Sequence, residues 1–250
     1  MPPSPTSLGH LPDGKWAFDA TVTACFTDML ARSIPQLDLM RHAVYALGCR
    51  FVHSGDHLLD LGCSLGDALD PFIRTYGAAC TYTGVEVSAP MRAQASARFA
   101  QRMASDAYGT CLPVQVDILD LDLRHAYPDV MAQLTLAILT LMFIPLEHRF
   151  QVLRRIWQHT VPGGAVLLVE KVLGYDAEIA QLFVDAYHAF KQRQGYTREE
   201  IDRKALALEG VLVPMPAAWN EDALHKAGFR QVECFWRWMN FAGWLAIKDA

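Results

Sequence analysis

Apolar positions recur along the chain with two periods. Short runs at His57–Leu61, Tyr82–Glu86, Pro113–Asp117, Leu134–Thr140 and Ala165–Glu170 have the length and residue content of strands. Between them, Asp67–Tyr76, Ala89–Ala104 and Glu147–His159 have helical spacing. In the last, Leu153, Ile156 and Trp157 share one face while Arg154, Arg155 and Gln158 share the other, which predicts an amphipathic helix. It runs into Val161-Pro162-Gly163-Gly164, where proline cannot continue the helix and the glycines predict a tight reversal. Such alternation predicts an α/β fold, a mostly parallel sheet with helices on both faces.

Two stretches fall outside the alternation. Lys15–Phe51 has Phe18, Val22, Phe26, Met29 and Leu30 at three-to-four spacing, which predicts a helical cap over residues 15–55. Ala177–Glu209, within residues 172–215, predicts a helical insert broken at Gly195, with Leu182, Phe183, Ala186, Tyr187 and Phe190 on one face. Two further strands, Gln231–Trp238 and Phe241–Ile247, follow it. The insert therefore sits beside the sheet, and residues 15–250 read as a single domain behind a disordered leader at 1–14.

Composition narrows the function. With 250 residues, 52% of them hydrophobic, the chain has enough apolar material for a large core, and disorder as the main state is excluded. A net charge of −5 offers no whole-chain basic field for a nucleic-acid backbone. The most apolar stretch, Leu134–Leu146, is shorter than the roughly 18–20 residues of a spanning helix. Met1-Pro2-Pro3-Ser4-Pro5-Thr6-Ser7 has no signal-peptide pattern, so a cytoplasmic location without membrane or direct nucleic-acid partners is expected. Cys25, Cys49, Cys63, Cys80, Cys111 and Cys234 form no Cys-x-x-Cys pair and the histidines no His-Glu-x-x-His, so reduced thiols and no metal site are expected.

Chemistry concentrates at Leu58-Leu59-Asp60-Leu61-Gly62-Cys63-Ser64-Leu65-Gly66. An apolar strand there runs through an acid into a glycine-bounded turn and a helix, an arrangement that admits a ligand close to the backbone. Glu86 ends the second strand about 20 residues on, where a carboxylate can accept both hydroxyls of a ribose. Asp117 ends the third, as an acid for an adenine edge. A dinucleotide turn would have a glycine where Ser64 stands. The turn resembles instead the first motif of class I S-adenosylmethionine-dependent methyltransferases, with Glu86 as the ribose acid.

The resemblance extends over nearly the whole chain to the carboxy-S-adenosyl-L-methionine synthase family. It is carried by Phe18-Asp19, Phe26, Asp28-Met29, Arg32-Ser33-Ile34-Pro35, Leu59–Gly66, Pro162-Gly163-Gly164-Ala165, Glu170-Lys171, Phe190-Lys191 through Gly195-Tyr196, Leu224-His225-Lys226-Ala227-Gly228-Phe229 and Asn240-Phe241. It implies a homodimer with a seven-stranded sheet. It also implies a reaction in which S-adenosyl-L-methionine and prephenate give carboxy-S-adenosyl-L-methionine, used to modify the tRNA wobble uridine. The cofactor set is then Asp60, Gly62, Cys63, Ser64, Gly66, Glu86, Val87, Asp117, Ile118 and Ile138, with S-adenosyl-L-homocysteine as the demethylated product.

Three positions depart from the family. Ile201, Lys204, Leu208 and Glu209 set a frame that puts Ala205 where the family has an arginine for the cofactor carboxylate. A family tyrosine is Leu37 here, and a family asparagine is Ile138. A carboxylate in a pocket wants a forked donor, which alanine lacks; Arg203 or Arg198 would have to reach from another helical face. These changes point to methyl transfer onto a neutral, partly apolar small molecule. Carboxy-cofactor synthesis is the alternative, and a non-catalytic cofactor-binding scaffold a second.

The acceptor pocket is expected at Leu37, Tyr187, Ala205 and Trp219. His188 is a candidate general base or a half-buried structural histidine. Tyr196 lines the pocket or caps the helix break, and Glu170 faces the substrate or pairs with Lys171. Trp236, Trp238 and Trp244 read as core, while Trp219 could wall the acceptor site. The insert is expected to pack across a two-fold axis through its apolar face, completing each pocket from the partner chain.

Overall fold

Local signals set the helix starts. Asp19 and Asp176 each accept the N–H three residues on, and Thr197 with Glu200 forms a capping box, so the helices behind them begin where the sequence supplies an acceptor. The computed structural model describes residues 14–100, 103–105 and 111–250; the predicted leader, apart from Gly14, lies outside them. In chain order the elements are α1 (Ala20–Ser33), α2 (Leu37–Gly48), β1 (His57–Leu61), α3 (Asp70–Tyr76), β2 (Thr81–Val85) and α4 (Ala89–Phe99). Then come β3 (Met103–Ser105), β4 (Cys111–Pro113), β5 (Val116–Leu119), β6 (Ala132–Ile138), α5 (Leu146–His159), β7 (Thr160–Leu173) and α6 (Ala177–Arg193). Last are α7 (Arg198–Leu208), β8 (Met215–Pro216), α8 (Ala217–Ala227), β9 (Gln231–Trp238) and β10 (Phe241–Ile247).

The main sheet runs β5-β2-β1-β6-β7-β10-β9, and the short β8 pairs with β7 beside that path. Strands β5 through β7 are parallel, while β10 is antiparallel to both its neighbours. The α/β reading therefore holds, with β8 added to the expected seven strands. Alternation along each strand divides the core in two. Leu58, Tyr82, Leu136 and Leu167 face Met40 and Val44 of α2 and Phe72 and Ile73 of α3. Leu59, Val85, Val166 and Trp244 face Val152 and Ile156 of α5 and Leu224 of α8. A third, smaller cluster joins Trp16, Phe26 and Met29 to Met91 of α4 and Ala207 of α7, so the N-terminal cap and the insert pack on one another.

Three sequence expectations shift. The helix expected at Ala89–Ala104 ends at Phe99, and Met103–Ser105 pairs instead with Cys111–Pro113. The strand expected at Pro113–Asp117 is split, because the sheet strand begins at Val116 and continues to Leu119. Val161-Pro162-Gly163-Gly164 lies within the span of β7 but loops out of it: Gly163 takes φ 74°, and the chain advances from Thr160 to Ala165 while β6 advances only from Ala132 to Leu134. The Gly163 N–H donates to the Lys248 carbonyl, and the Gly164 carbonyl accepts the Lys248 N–H. No helix among the described residues is long and apolar enough to cross a membrane.

Phe72 is fully buried between α2 and the sheet, against Tyr45. Phe72→Ala is expected to lower the unfolding free energy by about 3–5 kcal/mol in a urea titration. A loss under about 1 kcal/mol would mean that this face of the core is not what holds α3.

Candidate active site

The glycine turn is shaped by its neighbours as much as by any ligand. Gly62 (φ 74°) and Gly66 (φ 80°) adopt the left-handed region, and a Cβ on Gly62 would fall 2.6 Å from Thr140, whose hydroxyl donates to the Leu61 carbonyl at 2.7 Å. A Cβ on Gly66 would strike the Phe99 ring of α4. Gly84 on β2, which sequence reading passed over, leaves room for Cys63 and Ile118: a Cβ there would meet Cys63 Sγ at 2.7 Å and Ile118 Cδ1 at 2.8 Å. Ser64, at φ 50°, is held in the same unfavoured region without a glycine's freedom.

Glu86 supplies the restraint. Its carboxylate accepts the Ser64 N–H at 2.9 Å and the Ser88 N–H at 2.7 Å, binding the turn to the N-terminus of α4. Burial raises the Glu86 pKa, opposed by those N–H groups and by Arg92. Each oxygen keeps a lone pair for a further donor. Asp60 is only 2% exposed, lines the adjoining cavity, and leaves its Oδ2 without a partner. Burial first, then the charges of Glu86 and Asp67, push its pKa up to about 8.

The cavity, about 420 Å³, lies between this turn and the cap and insert helices. Leu37, Ile138, Tyr187, His188 and Ala205 all line it, together with Gly62, Cys63 and Ser64. Ala205 lies on the same chain as the turn it faces. Three lysines also line the cavity: Lys171 from β7, Lys191 from α6 and Lys204 from α7. Lys171 and Lys191 both lie 4.9 Å from the centre of the Tyr187 ring. Lys191 and Lys204 flank Tyr196 at 5.6 and 5.7 Å, and Lys204 lies 5.0 Å from Trp16. Burial pulls Lys171 down to about 8, Lys191 to about 7 and Lys204 to about 8, with neighbouring cations adding to the effect on the last two. The apolar pocket expected from Leu37, Ile138 and Ala205 is thus apolar walls around three lysines, with Asp60, Asp67 and Glu209 also in its lining.

Other expected residues lie elsewhere. Asp117 does not close a strand: it pairs with Thr83 inside β5, is exposed, and acts on His57. Side-chain alternation sends it to the face opposite Ile118, and only Ile118 meets the turn. Val87 is exposed beyond the end of β2. Trp219 packs with the α5–α8 side of the core, on the far face of the sheet from the cavity. Tyr196 is buried behind the lysines with its hydroxyl 3.1 Å from Ser33 Oγ, and burial pushes its pKa up to about 12, which makes it a support rather than a proton carrier. Glu170 neither faces the cavity nor pairs with Lys171, because consecutive strand residues point to opposite faces. It accepts the Leu141 N–H at 2.9 Å beside Arg149, and burial pushes its pKa up to about 8. His188 faces the cavity half-buried, its pKa lowered by burial and then by Lys191 and Arg198. The lysines did leave a sequence signal, since Lys191 follows Tyr187 by four and Lys204 follows Ile201 by three, each on the buried stripe of its helix.

Residues 58–164 match the model of a methyltransferase domain. The carboxy-S-adenosyl-L-methionine synthase of Methylococcus capsulatus is 36% identical over 93% of this chain and 93% of its own. That of Chromohalobacter salexigens is 35% identical over 94% of this chain and 84% of its own. Solved structures share the fold at lower identity. The plantazolicin methyltransferase BpumL, in complex with a triazolic desmethylPZN analog and SAH, superposes with TM-score 0.62 at 10% identity over 90% of each chain. Human N-acetylserotonin methyltransferase in complex with SAM does so with TM-score 0.58 at 15% identity, over 92% of this chain and 56% of its own.

Asp60 has a folded pKa above its unfolded value, so the stability its neutral form contributes is complete below about pH 4 and is lost as pH rises toward about 8. Asp60→Asn keeps the shape without the charge. Its melting temperature relative to wild type is expected to rise between about pH 5 and about pH 8. An offset that stays constant over that range would overturn this account of Asp60.

Proposed function

The chain belongs to the carboxy-S-adenosyl-L-methionine synthase family, and from that premise we propose that it is an S-adenosyl-L-methionine-dependent enzyme that transfers the methyl group to a small-molecule acceptor. The observation that carries the choice is Ala205, which lines the same cavity as Gly62–Ser64, Leu37 and Ile138. Where a carboxylated sulfonium would need a forked cation, the wall is a methyl group. Asp60 Oδ2, buried and unpartnered, suits the amino group of the cofactor's methionyl end. Glu86 suits the ribose hydroxyls through its remaining lone pairs, and Ile118 packs against the turn.

When bound, S-adenosyl-L-methionine supplies an electrophilic sulfonium methyl. The protein's part is to align an acceptor for in-line attack and to keep water out, which the aromatic and aliphatic side chains of α1 and α2 do. His188, whose lowered pKa keeps it neutral at neutral pH, takes the proton when the acceptor is a hydroxyl or a protonated nitrogen. S-adenosyl-L-homocysteine leaves.

A second reading, carboxy-cofactor synthesis, is favoured by the family itself and by Lys171, Lys191 and Lys204, which bring cations to the cavity that lacks the arginine. Incubation with S-adenosyl-L-methionine and prephenate separates the two. The expected result is an unchanged cofactor mass, with S-adenosyl-L-homocysteine formed once a suitable acceptor is supplied. A gain of one carboxyl group on the cofactor would establish the synthase reading. Calorimetric binding of either cofactor form without product from any acceptor would favour a scaffold, and no binding heat would defeat all three.

We further propose a cytoplasmic homodimer. Leu182 on α6 is 60% exposed and Leu206 on α7 67%, leaving apolar surface on the insert. An association held by such burial survives salt, which screens ion pairs alone. Light scattering is expected to give a dimer at both low and high ionic strength. A monomer at both would refute the dimer, and dissociation by salt would refute its apolar cause.

A further inference from the structure

Arg149 of α5 and Glu170 of β7 are each 2% exposed, and they lie behind the sheet, among the α5 and α8 side of the core rather than in the cavity lining. Polar groups are costly to bury unless their hydrogen-bonding atoms are met. Here the partners of both come from one short segment, residues 139–144, between β6 and α5. The Glu170 carboxyl accepts the Leu141 N–H at 2.9 Å, and the N–H groups of Met142 and Thr140 also act on it. Burial pushes the Glu170 pKa up to about 8, but its oxygen accepts an N–H in either protonation state. The Arg149 guanidinium donates through Nε to the Ile144 carbonyl at 2.7 Å and through Nη2 to the Met142 carbonyl at 3.2 Å. An acceptor for the N–H groups and a forked donor for the carbonyls thus grip the same turn.

The gripped segment meets the cavity and the parts that enclose it. Leu139, Met142 and Phe143 line it. Leu139 has φ 60°, a conformation that is costly for a bulky side chain and that persists only where the flanking backbone is fixed. Thr140 lies so close to Gly62 that a Cβ there would fall 2.6 Å away, and its hydroxyl, donating to the Leu61 carbonyl at 2.7 Å, ties the segment to the end of β1. The Phe143 ring stands 5.0 Å from that of Phe18 in the cap, and the Met142 carbonyl accepts the N–H of Val213, beyond α7, at 2.9 Å. The Met142 sulfur accepts the Lys171 N–H at 3.4 Å. On the reading of this cavity as the cofactor and acceptor site, we propose that Arg149 and Glu170 are its positioning residues: from behind the sheet they fix residues 139–144, which set the glycine turn on one side and the acceptor wall on the other. They act through the backbone they hold and need no contact with either ligand. Filling the core requires neither an acceptor nor a fork, so replacements that keep shape or charge while removing one of these separate the two roles.

The test compares the full-length wild type with Glu170→Gln, Glu170→Leu and Arg149→Lys. Two quantities are read at about pH 7: the calorimetric affinity for S-adenosyl-L-homocysteine, and amide hydrogen exchange by NMR in residues 139–144 against β1. Glu170→Leu removes the acceptor, and Arg149→Lys keeps the charge without the fork. Both are expected to speed exchange in residues 139–144 at least about tenfold while β1 stays protected, and to weaken S-adenosyl-L-homocysteine by at least about tenfold. Glu170→Gln, which still presents a carbonyl to the Leu141 N–H, is expected to stay within about threefold of wild type in both. Exchange that rises equally in β1, with or without a change in affinity, would show a merely structural role and overturn the proposal. So would full retention of protection and affinity by Glu170→Leu or Arg149→Lys, faster local exchange with unaltered affinity, or a loss in Glu170→Gln as large as in Glu170→Leu. A wild type that binds no S-adenosyl-L-homocysteine would instead defeat the functional reading, and the exchange comparison alone would then decide whether the two side chains hold the segment.

Discussion

A strand buried on both faces constrains everything around it. In β1, Leu58, Leu59 and Leu61 are fully enclosed, one side chain toward α2 and α3 and two toward α5 and α8, so neither face can meet water. Such a strand can present polar groups only where it ends. Asp60 and the turn that follows it are therefore delivered to the same rim as the ends of β2 and β6, and the cavity forms there. Glu86 then completes the geometry, because its two backbone acceptor bonds keep the turn from relaxing out of the positive-φ conformation of Ser64.

The cap and the insert turn this rim into an enclosed site. Their contacts are specific: Trp16 donates its backbone N–H to the Ala207 carbonyl, Arg32 donates its Nε–H to the Gln194 carbonyl, and Tyr187 donates its hydroxyl to the Ser33 carbonyl. Each bond joins α1 or its flank to the insert, so the roof of the cavity is a single packed unit made from two distant parts of the chain. Enclosure has an electrostatic consequence. The same burial that raises the pKa of Asp60 lowers those of Lys171, Lys191 and Lys204, and the charges that act on Asp60 are those of Glu86 and Asp67. The cavity thus holds an unpaired acid near the turn and unpaired bases near the insert, a polarity suited to a ligand with a cationic part and an anionic part, or to two ligands bound side by side.

How much of this was legible follows from the range of the interaction concerned. The strand–helix alternation, the acid before the glycine turn, the helix caps at Asp19, Asp176 and Thr197, and the convergence of Leu37, Ile138 and Ala205 on one pocket depend on local pattern or on family resemblance, and they stand in the chain as written. The strand boundary at Val116 was not legible, since two short runs, Pro113–Asp117 and Val116–Leu119, overlap at Val116 and Asp117 and only pairing with β2 chooses between them. That choice leaves Asp117 two residues before the strand end at Leu119, inside the strand and away from the binding rim.

Charge shows the same division. The sequence alone determined that Lys191 and Lys204 occupy the apolar stripes of their helices and that Glu170 and Lys171 must point to opposite sides of a strand, because periodicity is a property of the backbone. Only the tertiary structure decided that these lysines, separated by 13 to 33 positions in the chain, share one cavity, and that Trp219 and Tyr196 stay outside it. The reason is physical: burial and the absence of a counter-charge arise when distant elements close over one another, and no local pattern encodes which elements those will be.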